Sequence, residues 1–491
     1  MRDIIMLIVV ILPILVGMSI WILPLRSRRA MLIYMEAGVI LTSLLVFWLL
    51  LNPPQDTVTV FRFTGNLSVT FRLDGLGSVF AGLAAFLWPF AMLYSFEYMK
   101  HEKRSEKTFF MFYVITYGIT LGVALAENIL TMYFFFEMLS LITLPLVMFT
   151  MTREAVRASR VYLDNMLGGA AFAFIGMIFI LTYGSTPSFV MGGVLDVEGM
   201  GGRSNLMLVV YVLCFCGFGV KTAIWPFSGW LPKAGVAPTP VTALLHAVAV
   251  VNTGAFAVMR VTYYSFGIRA VKGTWAQTVV IILTIITIVY GCSRALKETH
   301  IKRRLAWSTV SNLSYILFGV ALMTPLGLLG AVTHMLFHSV MKICSFFCAG
   351  AVIYKSGRNY VHELDGFGRK MPKVFMIFTV SALALMGVPG LCGFVSKWQL
   401  AKAAVDSGTV FGYAGVAALL ISALLTAIYM LTIVVRAFFP GKDFDYTAIS
   451  DVEDPNWMML VPLMVFVVVM FCFGLGSGQV TQLLESVLPL G

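Results

Sequence analysis

Apolar runs of about twenty residues, the length that spans a bilayer as a helix, recur along most of this chain. Inside a bilayer only α-helices and closed β-barrels satisfy every backbone hydrogen-bonding group, and barrel strands would alternate apolar and polar residues. The runs here are continuous, 59% of the 491 residues are hydrophobic, and only 12% are charged. The sequence therefore predicts an all-α polytopic membrane protein.

The runs predict fourteen transmembrane helices. They are placed at residues 4–24, 30–51, 75–98, 109–126, 128–151, 161–184, 205–230, 237–264, 275–296, 305–324, 325–354, 373–400, 411–438 and 456–475. One segment outside them alternates apolar and polar residues, at 56–74 around Gly65 and Asn66. Alternation around such a pair predicts a small external β-hairpin.

The net charge of +11 comes from Lys and Arg in short loops. Most of these residues follow odd-numbered predicted helices, as in RSRR (26–29), KHEKRSEK (100–107) and SRALKETHIKRR (293–304). A bias of this kind marks the cytoplasmic side of a membrane protein. It favours membrane orientation over nucleic-acid binding, and it predicts a protein of the cell inner membrane with both termini outside.

Four charged residues lie inside the apolar runs, namely Glu137, Lys221, Lys342 and Lys397. A charge at the centre of a bilayer costs ~2.5–3.5 kcal/mol on insertion scales, so it is kept only with a partner, a water path or a function. We expect Lys221 to be the cation near Glu137. Buried charges of both signs, one acid and three lysines, predict a proton or ion path.

Two of the charged segments also contain helix breakers. Pro226 and Pro232 follow Lys221, and Pro389-Gly390 precedes Lys397. Proline removes a backbone donor and clashes with the preceding turn, and the freed carbonyls can face a cavity at mid-depth. Two broken helices, the seventh and the twelfth, predict two related five-helix units of inverted topology.

The predicted organisation has four parts. These are residues 1–108 (helices 1–3 and the hairpin), 109–264 (helices 4–8), 275–438 (helices 9–13) and 439–491 (a loop and helix 14).

His334, His338 and Lys342 are spaced four residues apart and therefore share one face of a helix. Imidazole both donates and accepts protons near neutral pH, so the stripe predicts a proton relay. His246, in ALLHAVAVV, is a further candidate. It either links Lys221 to the stripe or bonds a backbone carbonyl.

No phosphate-binding GxxxxGK[ST] motif and no GxGxxG after a strand occur in the sequence. The seven cysteines fall in apolar segments without CxxC spacing, which predicts buried free thiols rather than an iron–sulfur or zinc site. We expect no metal or cofactor in this chain.

Five segments occur in a recognisable order: FFFEMLSLITLPL, GFGVKTAIWPFSGWLPKAGVAPTPVTALLHA, RLAWSTVSNLSYI, HMLFHSVMKICSFFCAG and GVPGLCGFVSKW. They resemble the proton-translocating antiporter-like subunits of respiratory complex I, Mrp-type cation/proton antiporters and membrane-bound hydrogenases. The resemblance implies fourteen core helices with two inverted repeats and broken helices 7 and 12.

The resemblance also implies roles for individual residues. Glu137 corresponds to the family's helix 5 glutamate, Lys221 to its helix 7 lysine, Lys342 with the preceding His338 to its HxxxK element, and Lys397 to its helix 12 charge. Two positions depart from the family pattern. Lys233 replaces an acid in WLPKA, and Asn252 replaces a helix 8 lysine in VVNTG, so the inner link would depend more on His246.

Three functions stay open on the sequence. The first is an ion-translocating subunit of a redox-driven complex, with other membrane-arm subunits and a peripheral redox arm that holds iron–sulfur clusters, flavin or a nickel–iron site. The second is a subunit of a stand-alone cation/proton antiporter, and the third is a non-conducting structural subunit. Protons are favoured over sodium because charged lysine and histidine relay protons but do not ligate sodium.

Overall fold

The computed structural model describes residues 2–25, 27–65, 67–102, 104–196, 201–442 and 444–488, and this part of the chain is almost entirely helical. The N-terminal part contains α1 (Arg2–Ser19), α2 (Arg28–Leu51), β1 (Val58–Thr64), β2 (Leu67–Phe71) and α3 (Gly75–Tyr98).

The next part runs from α4 to α11. Its helices are α4 (Glu106–Ala124), α5 (Ile129–Val147), α6 (Arg153–Tyr183), α7 (Ser204–Gly219), α8 (Trp230–Ala234), α9 (Thr239–Ala243), α10 (Val250–Arg260) and α11 (Ile268–Val271). A π-helical turn at Leu244–Val248 joins α9 to α10, and a second at Val261–Phe266 extends α10.

The remaining helices follow in the same way. They are α12 (Trp275–Lys297), α13 (Ile301–Ala321), α14 (Pro325–Ser356), α15 (Phe367–Lys370), α16 (Pro372–Met386), α17 (Cys392–Asp406), α18 (Val410–Phe438), α19 (Trp457–Leu475) and α20 (Ser477–Val487).

Short polar side chains set the starts of many of these helices. Asn128 Oδ1 accepts the Thr131 N–H at 2.8 Å at the start of α5, and Thr324 Oγ1 accepts the Gly327 N–H at 3.0 Å at the start of α14. Pro325 follows as the first residue of α14. Such caps satisfy the unpaired amides of a first turn, and proline is favoured there because it has no amide to leave unpaired.

Each of the fourteen predicted helices has a counterpart, and the all-α fold is confirmed. The predicted interruptions of helices 7 and 12 are both present. Predicted helix 7, residues 205–230, is broken after Gly219 and not at Pro226, and predicted helix 12, residues 373–400, is divided into α16 and α17. The second break follows from Gly387, whose φ of +93° is left-handed, and from Pro389 just after it.

Within the described residues, eleven helical segments are long and apolar enough to cross a membrane. The first halves of the two broken helices, Ser204–Gly219 and Pro372–Met386, are apolar but shorter. Polar residues lower the hydropathy of α13, although this helix has 21 residues. Fourteen spans therefore stay a prediction, of which length and composition support eleven.

Helix lengths match between the two predicted five-helix units. The third helix of the first unit, α6, has 31 residues, and the third helix of the second unit, α14, has 32. The segment Thr239–Phe266 has 28 and α18 has 29, and both units have a broken helix before this last member. The match supports the predicted duplication, while inversion of one unit relative to the other stays a prediction.

The helices α13 and α14 lie at the centre of the fold, and nearly all of their side chains are buried. Exposed apolar side chains concentrate on the outer helices, for example Leu44 on α2, Leu424 on α18 and Val468 on α19. Apolar residues on the outside and polar residues near the centre are the arrangement expected of a membrane protein, because lipid is the solvent on the outer faces.

The predicted hairpin is present as antiparallel strands β1 and β2, which pair Val58 with Phe71 and Thr64 with Leu67. Of its expected turn residues, Asn66 lies outside the described residues. The Thr70 N–H donates to Thr131 Oγ1 at 3.0 Å, and this bond attaches β2 to the start of α5. The hairpin is therefore fixed to the helical core.

A buried ion pair ties the chain after the hairpin to the end of α10. Arg260 is 1% exposed and donates to both carboxylate oxygens of Asp74, at 2.5 and 2.6 Å. The guanidinium also lies about 5 Å from the rings of Phe256, Tyr264 and Phe189. Because both groups have left water, each depends on the other.

We predict that Asp74→Asn destabilises the folded chain by roughly 3 kcal/mol, because it leaves the buried guanidinium without a counter-charge. Asparagine keeps an oxygen that can accept the Gly77 N–H at the start of α3, so the cap is retained. The measurement is thermal unfolding of the purified protein in detergent.

The matched control is Glu453→Gln, which neutralises the ion pair between Lys355 and a carboxylate that is 77% exposed. Exposed pairs contribute about 1 kcal/mol or less. Equal losses of melting temperature in the two variants would contradict the importance of burial at Asp74.

Candidate functional site

Lys221 lies in the break between α7 and α8, two residues beyond the end of the regular helix. Side chains satisfy the groups that the break exposes: the Trp230 indole N–H donates to the Val220 carbonyl at 2.8 Å, and the Thr222 hydroxyl donates to the Gly219 carbonyl at 2.7 Å. The lysine is 1% exposed. The break therefore holds an ammonium group inside the helix bundle.

The Lys221 ammonium is directed at the helix that carries Glu137. It donates to the Phe136 carbonyl of α5, and its nitrogen lies 3.4 Å from the centre of the Phe136 ring. Glu137 directly follows Phe136 in α5, so the ammonium lies against the backbone of the helix that carries the carboxylate. A direct ion pair between Lys221 and Glu137 stays a prediction.

Glu137 is half-buried, on a face of α5 that it shares with the exposed side chains of Phe134 and Leu141. Its Oε1 atom is buried and has no hydrogen-bond partner among the described residues. A carboxylate oxygen in this state can accept a proton or a hydrogen bond from a donor that approaches it.

The backbone of α10 packs against the stem of Lys221. A Cβ atom at Gly254 would lie 2.8 Å from Lys221 Cβ and 3.0 Å from the Thr222 backbone nitrogen. Only glycine permits this approach. The base of the Lys221 side chain is therefore held against α10, and its ammonium end points toward α5.

The three members of the predicted stripe lie on one face of α14, and all are buried. The rings of His334 and His338 are 5.8 Å apart between centres. Nδ1 of His334 is 2.9 Å from the Ser396 hydroxyl of α17, while both ring nitrogens of His338 have no partner among the described residues. The stripe thus connects to the second broken helix at Ser396.

Lys342, the third member of the stripe, reaches α13. Its ammonium donates to the Ser308 hydroxyl and, at 3.1 Å, to the Leu305 carbonyl. Both acceptors are neutral oxygens, and the lysine is fully buried.

Lys397 lies on α17, just after the second break, and is half-buried. Its ammonium donates to the carbonyls of Leu385 at 2.5 Å and Met386 at 3.2 Å, which end α16. The last carbonyls of a helix have no partner within the helix and carry the negative end of its dipole, so they suit a cation. The Tyr315 ring lies 5.4 Å from the same nitrogen and 5.2 Å from the His334 ring.

His246 lies in the π-helical turn between α9 and α10 and is fully buried. Its ring packs on Phe346 of α14 with 4.8 Å between the ring centres, and Phe346 is four residues along the same helix face from Lys342. Neither ring nitrogen has a hydrogen-bond partner among the described residues. The histidine therefore lies beside the stripe, and a link from it to Lys221 stays a prediction.

Lys302 was not identified from the sequence. It is 7% exposed, near the start of α13, and donates to the Ala237 carbonyl in the connection between α8 and α9 at 2.8 Å. The basic run KETHIKRR made it resemble an ordinary cytoplasmic loop residue. Its position near the start of a helix that continues as AWSTVSN was the sequence signal that could have indicated its burial.

The two departures from the family pattern differ in their surroundings. Lys233 is exposed, whereas Asn252 is buried and donates to the Ser339 hydroxyl of α14 at 2.8 Å. All seven cysteines are free, and five of them are buried; Cys216 is partly buried and Cys472 is exposed, so the expectation of uniformly buried thiols is wrong. Among the described residues, no group of three His, Cys, Asp or Glu side chains is placed to hold a metal ion.

Two family models match the chain. The model described as "NADH:quinone oxidoreductase/Mrp antiporter, TM" matches residues 126–426. The model described as "NADH-Ubiquinone oxidoreductase (complex I), chain 5 N-terminus" matches residues 62–110. The first match contains every residue of the candidate site.

Curated relatives come from both branches of this family. The chain is 28% identical over 431 residues to NADH-quinone oxidoreductase subunit N of Desulforudis audaxviator, and this alignment covers 85% of this chain and 84% of that protein. It is also 28% identical over 424 residues to a Na(+)/H(+) antiporter subunit of Alkalihalophilus pseudofirmus, which covers 81% of this chain. The chain spans 51% of the length of that antiporter protein.

Solved structures share the fold at low identity. A chain of the membrane-bound sulfane sulfur reductase, an archaeal respiratory membrane complex, matches with a TM-score of 0.84 at 20% identity, over 98% of this chain and 96% of that one. A chain of the Mrp complex from Dietzia sp. matches with a TM-score of 0.85 at 20% identity, over 98% of this chain and 51% of that one. A chain of respiratory complex I from Thermus thermophilus matches with a TM-score of 0.81 at 21% identity, over 99% of this chain and 100% of that one.

The family match covers more than half of the chain, and the fold agrees with it. This multi-pass membrane protein belongs to the NADH:quinone oxidoreductase/Mrp antiporter transmembrane family.

Proposed function

We propose that this chain translocates protons across the cell inner membrane as an antiporter-like subunit of a redox-driven complex. Its partners are other membrane-arm subunits and a peripheral arm that carries the redox cofactors. One observation carries the proposal. Three ammonium groups inside the bundle, those of Lys221, Lys342 and Lys397, are held by carbonyl and hydroxyl oxygens.

Neutral acceptors leave these lysines able to change protonation state. A buried ion pair would fix the charge, because removing either partner leaves an uncompensated charge. A carbonyl accepts a hydrogen bond from both –NH3+ and –NH2, so the lysine keeps a partner when it releases a proton. Charges of this kind within membrane spans mark proton relays.

The first half of the path is Glu137 with Lys221. A negative Glu137 favours the charged lysine, and a change in distance between the two groups would release the proton. Since Glu137 lies at the surface of this chain, a charge on a neighbouring protein of the complex could act on it. Coupling to chemistry in a partner would enter the chain at this point.

The second half of the path runs along α14 from Lys342 through His338 and His334 to Lys397. The ring centres of the histidines are 5.8 Å apart, so a proton passing between them needs a bridging water or a ring movement. The hydroxyl of Ser396 connects His334 to α17.

The two halves meet near His246. Lys302 lies at the end of α13 that follows the basic loop, the end predicted to be cytoplasmic, and donates to the Ala237 carbonyl. The same carbonyl accepts a hydrogen bond from Thr242 of α9, the helix that leads into the turn of His246. We infer that Lys302 passes protons from that side toward His246, which would then serve the stripe on α14.

The alternative is a subunit of a stand-alone cation/proton antiporter, and the 28% identity to a Na(+)/H(+) antiporter protein supports it. Purification of the chain with its native partners, followed by cofactor analysis, separates the two. Partners with iron–sulfur clusters, flavin or nickel–iron support the redox-driven complex. Small hydrophobic subunits without redox centres contradict it.

We predict that Lys221→Ala abolishes proton pumping by the assembled complex, because Glu137 then has no cation to exchange with. The measurement is acidification of inverted membrane vesicles, with co-purification of the partners to establish assembly. Lys233→Ala is the matched control: this lysine lies in the same broken segment but is exposed, and its loss should leave pumping unchanged. An assembled Lys221→Ala complex that pumps normally would contradict the proposal, and sodium uptake that follows Lys221 and Glu137 substitutions would replace protons by sodium.

We also predict that Lys302→Met reduces pumping at least severalfold, whereas Arg303→Met has little effect. The two residues are adjacent on α13, but Arg303 is 41% exposed and pairs with Glu154, and exposed pairs contribute little. The same vesicle assay applies. If both substitutions have equal effects, Lys302 is part of the basic surface and the inferred entry route is wrong.

A further inference from the structure

A cavity of about 830 Å³ lies between α2, α3, α14, α19 and α20. Its walls are almost entirely apolar and include Leu83, Phe86 and Phe473. Leu51 and Leu483, at its rim, are 82% and 62% exposed, so the cavity opens toward the surroundings of the bundle.

The residues that line the cavity follow α3 over several turns. On α3 it extends from Gly75, in the first turn, to Phe86, which is about 16 Å along a helix at 1.5 Å per residue. Its inner end is formed by Leu336 and Val340 of α14. It therefore runs from the level of the helix ends toward the middle of the bundle.

Water is a poor occupant of this space, because a buried water needs two to four polar partners and the walls offer few. Hydrocarbon meets no such cost, since lipid tails are as apolar as the leucine side chains around them. The volume falls within the roughly 300–1,000 Å³ of typical ligand sites.

The outer end of the cavity carries charge. Asp74 lines it, and Arg72, which is 36% exposed, has a guanidinium nitrogen 4.0 Å from the Asp74 carboxylate. Asp74 is already bound on both oxygens by Arg260, so Arg72 is the looser partner of this carboxylate. Arg72 does not line the cavity; it lies next to the mouth, beside Asp74, and one of its guanidinium nitrogens donates to the Phe189 carbonyl at 3.5 Å.

We propose that one acyl chain of a membrane phospholipid fills this cavity, with its phosphate beside Arg72. The apolar depth suits the chain, and the arginine at the level of the helix ends suits the headgroup.

The occupied cavity would keep one face of α14 dry. Leu336 and Val340 point away from His338, since residues two positions apart lie on opposite sides of a helix. The acyl chain would therefore form the wall behind the relay residues and exclude water from it.

The test is the phospholipid retained by the purified full-length chain after exhaustive detergent exchange, measured by native mass spectrometry and by mass spectrometry of extracted lipid. We expect about one tightly held phospholipid per wild-type chain and its loss in Gly82→Phe, whose side chain enters the cavity. A Cβ atom at Gly82 meets only Leu50 Cδ1, at 3.0 Å, the end of a flexible side chain. Val79→Phe fills the same space from one turn earlier and serves if Gly82→Phe does not fold.

The matched control is Gly168→Phe on α6, where an added Cβ atom meets nothing within 4 Å. Both substitutions replace a glycine inside a helix, so they change helix propensity alike. Retention in the control with loss in Gly82→Phe supports the proposal, and so does weaker retention in Arg72→Gln. A wild-type chain that keeps no lipid, equal retention in both phenylalanine variants, or an isoprenoid quinone in place of phospholipid would each overturn it.

Discussion

The structure depends on hydrogen bonds from buried lysine ammonium groups to backbone carbonyls. A charged group in a bilayer interior must have oxygen ligands, and a continuous helix offers few, because its own amides use its carbonyls. Breaks in helices supply part of these ligands. Lys397 is bound by the last carbonyls of α16 and Lys302 by a carbonyl between α8 and α9, whereas Lys221 and Lys342 bind carbonyls within α5 and α13. In the proposed ion path, the prolines and glycines of the broken segments would therefore free the oxygens that hold some of its charges.

The fold was predictable because its causes are local. The lengths of the apolar runs predicted the helices, and proline with glycine predicted both interruptions, although the first break begins earlier than its prolines. Gly219 ends α7 before any proline occurs, because the chain turns there with tertiary support from Trp230 and Thr222. The spacing of apolar and polar residues over 205–230 does not indicate those contacts. The hairpin was likewise predictable from local sequence, whereas its attachment to α5 through Thr131 was not.

The candidate site was predictable only residue by residue. A charge in an apolar run is visible in the sequence, and the four-residue spacing of His334, His338 and Lys342 places them on one helix face. The sequence does not show which residues of other helices are their partners. The Ser308 hydroxyl that binds Lys342 and the Ser396 hydroxyl beside His334 belong to serines that nothing in the sequence distinguishes from the others. The opposite error was made for Lys302. Its basic run predicted an exposed loop residue, whereas α13 packs against the α8–α9 connection and buries this lysine.

The close approach of Gly254 to the base of Lys221 has a consequence for how fast this element can respond. With the first carbons of the side chain clamped by α10, the nitrogen can swing between the Phe136 carbonyl and Glu137 only by rotating about the outer bonds. Such rotations need no rearrangement of whole helices, which takes microseconds to milliseconds. The lysine would then move between its two partners without a helix shift, and the slow step of turnover would lie in whatever alters the charge around Glu137.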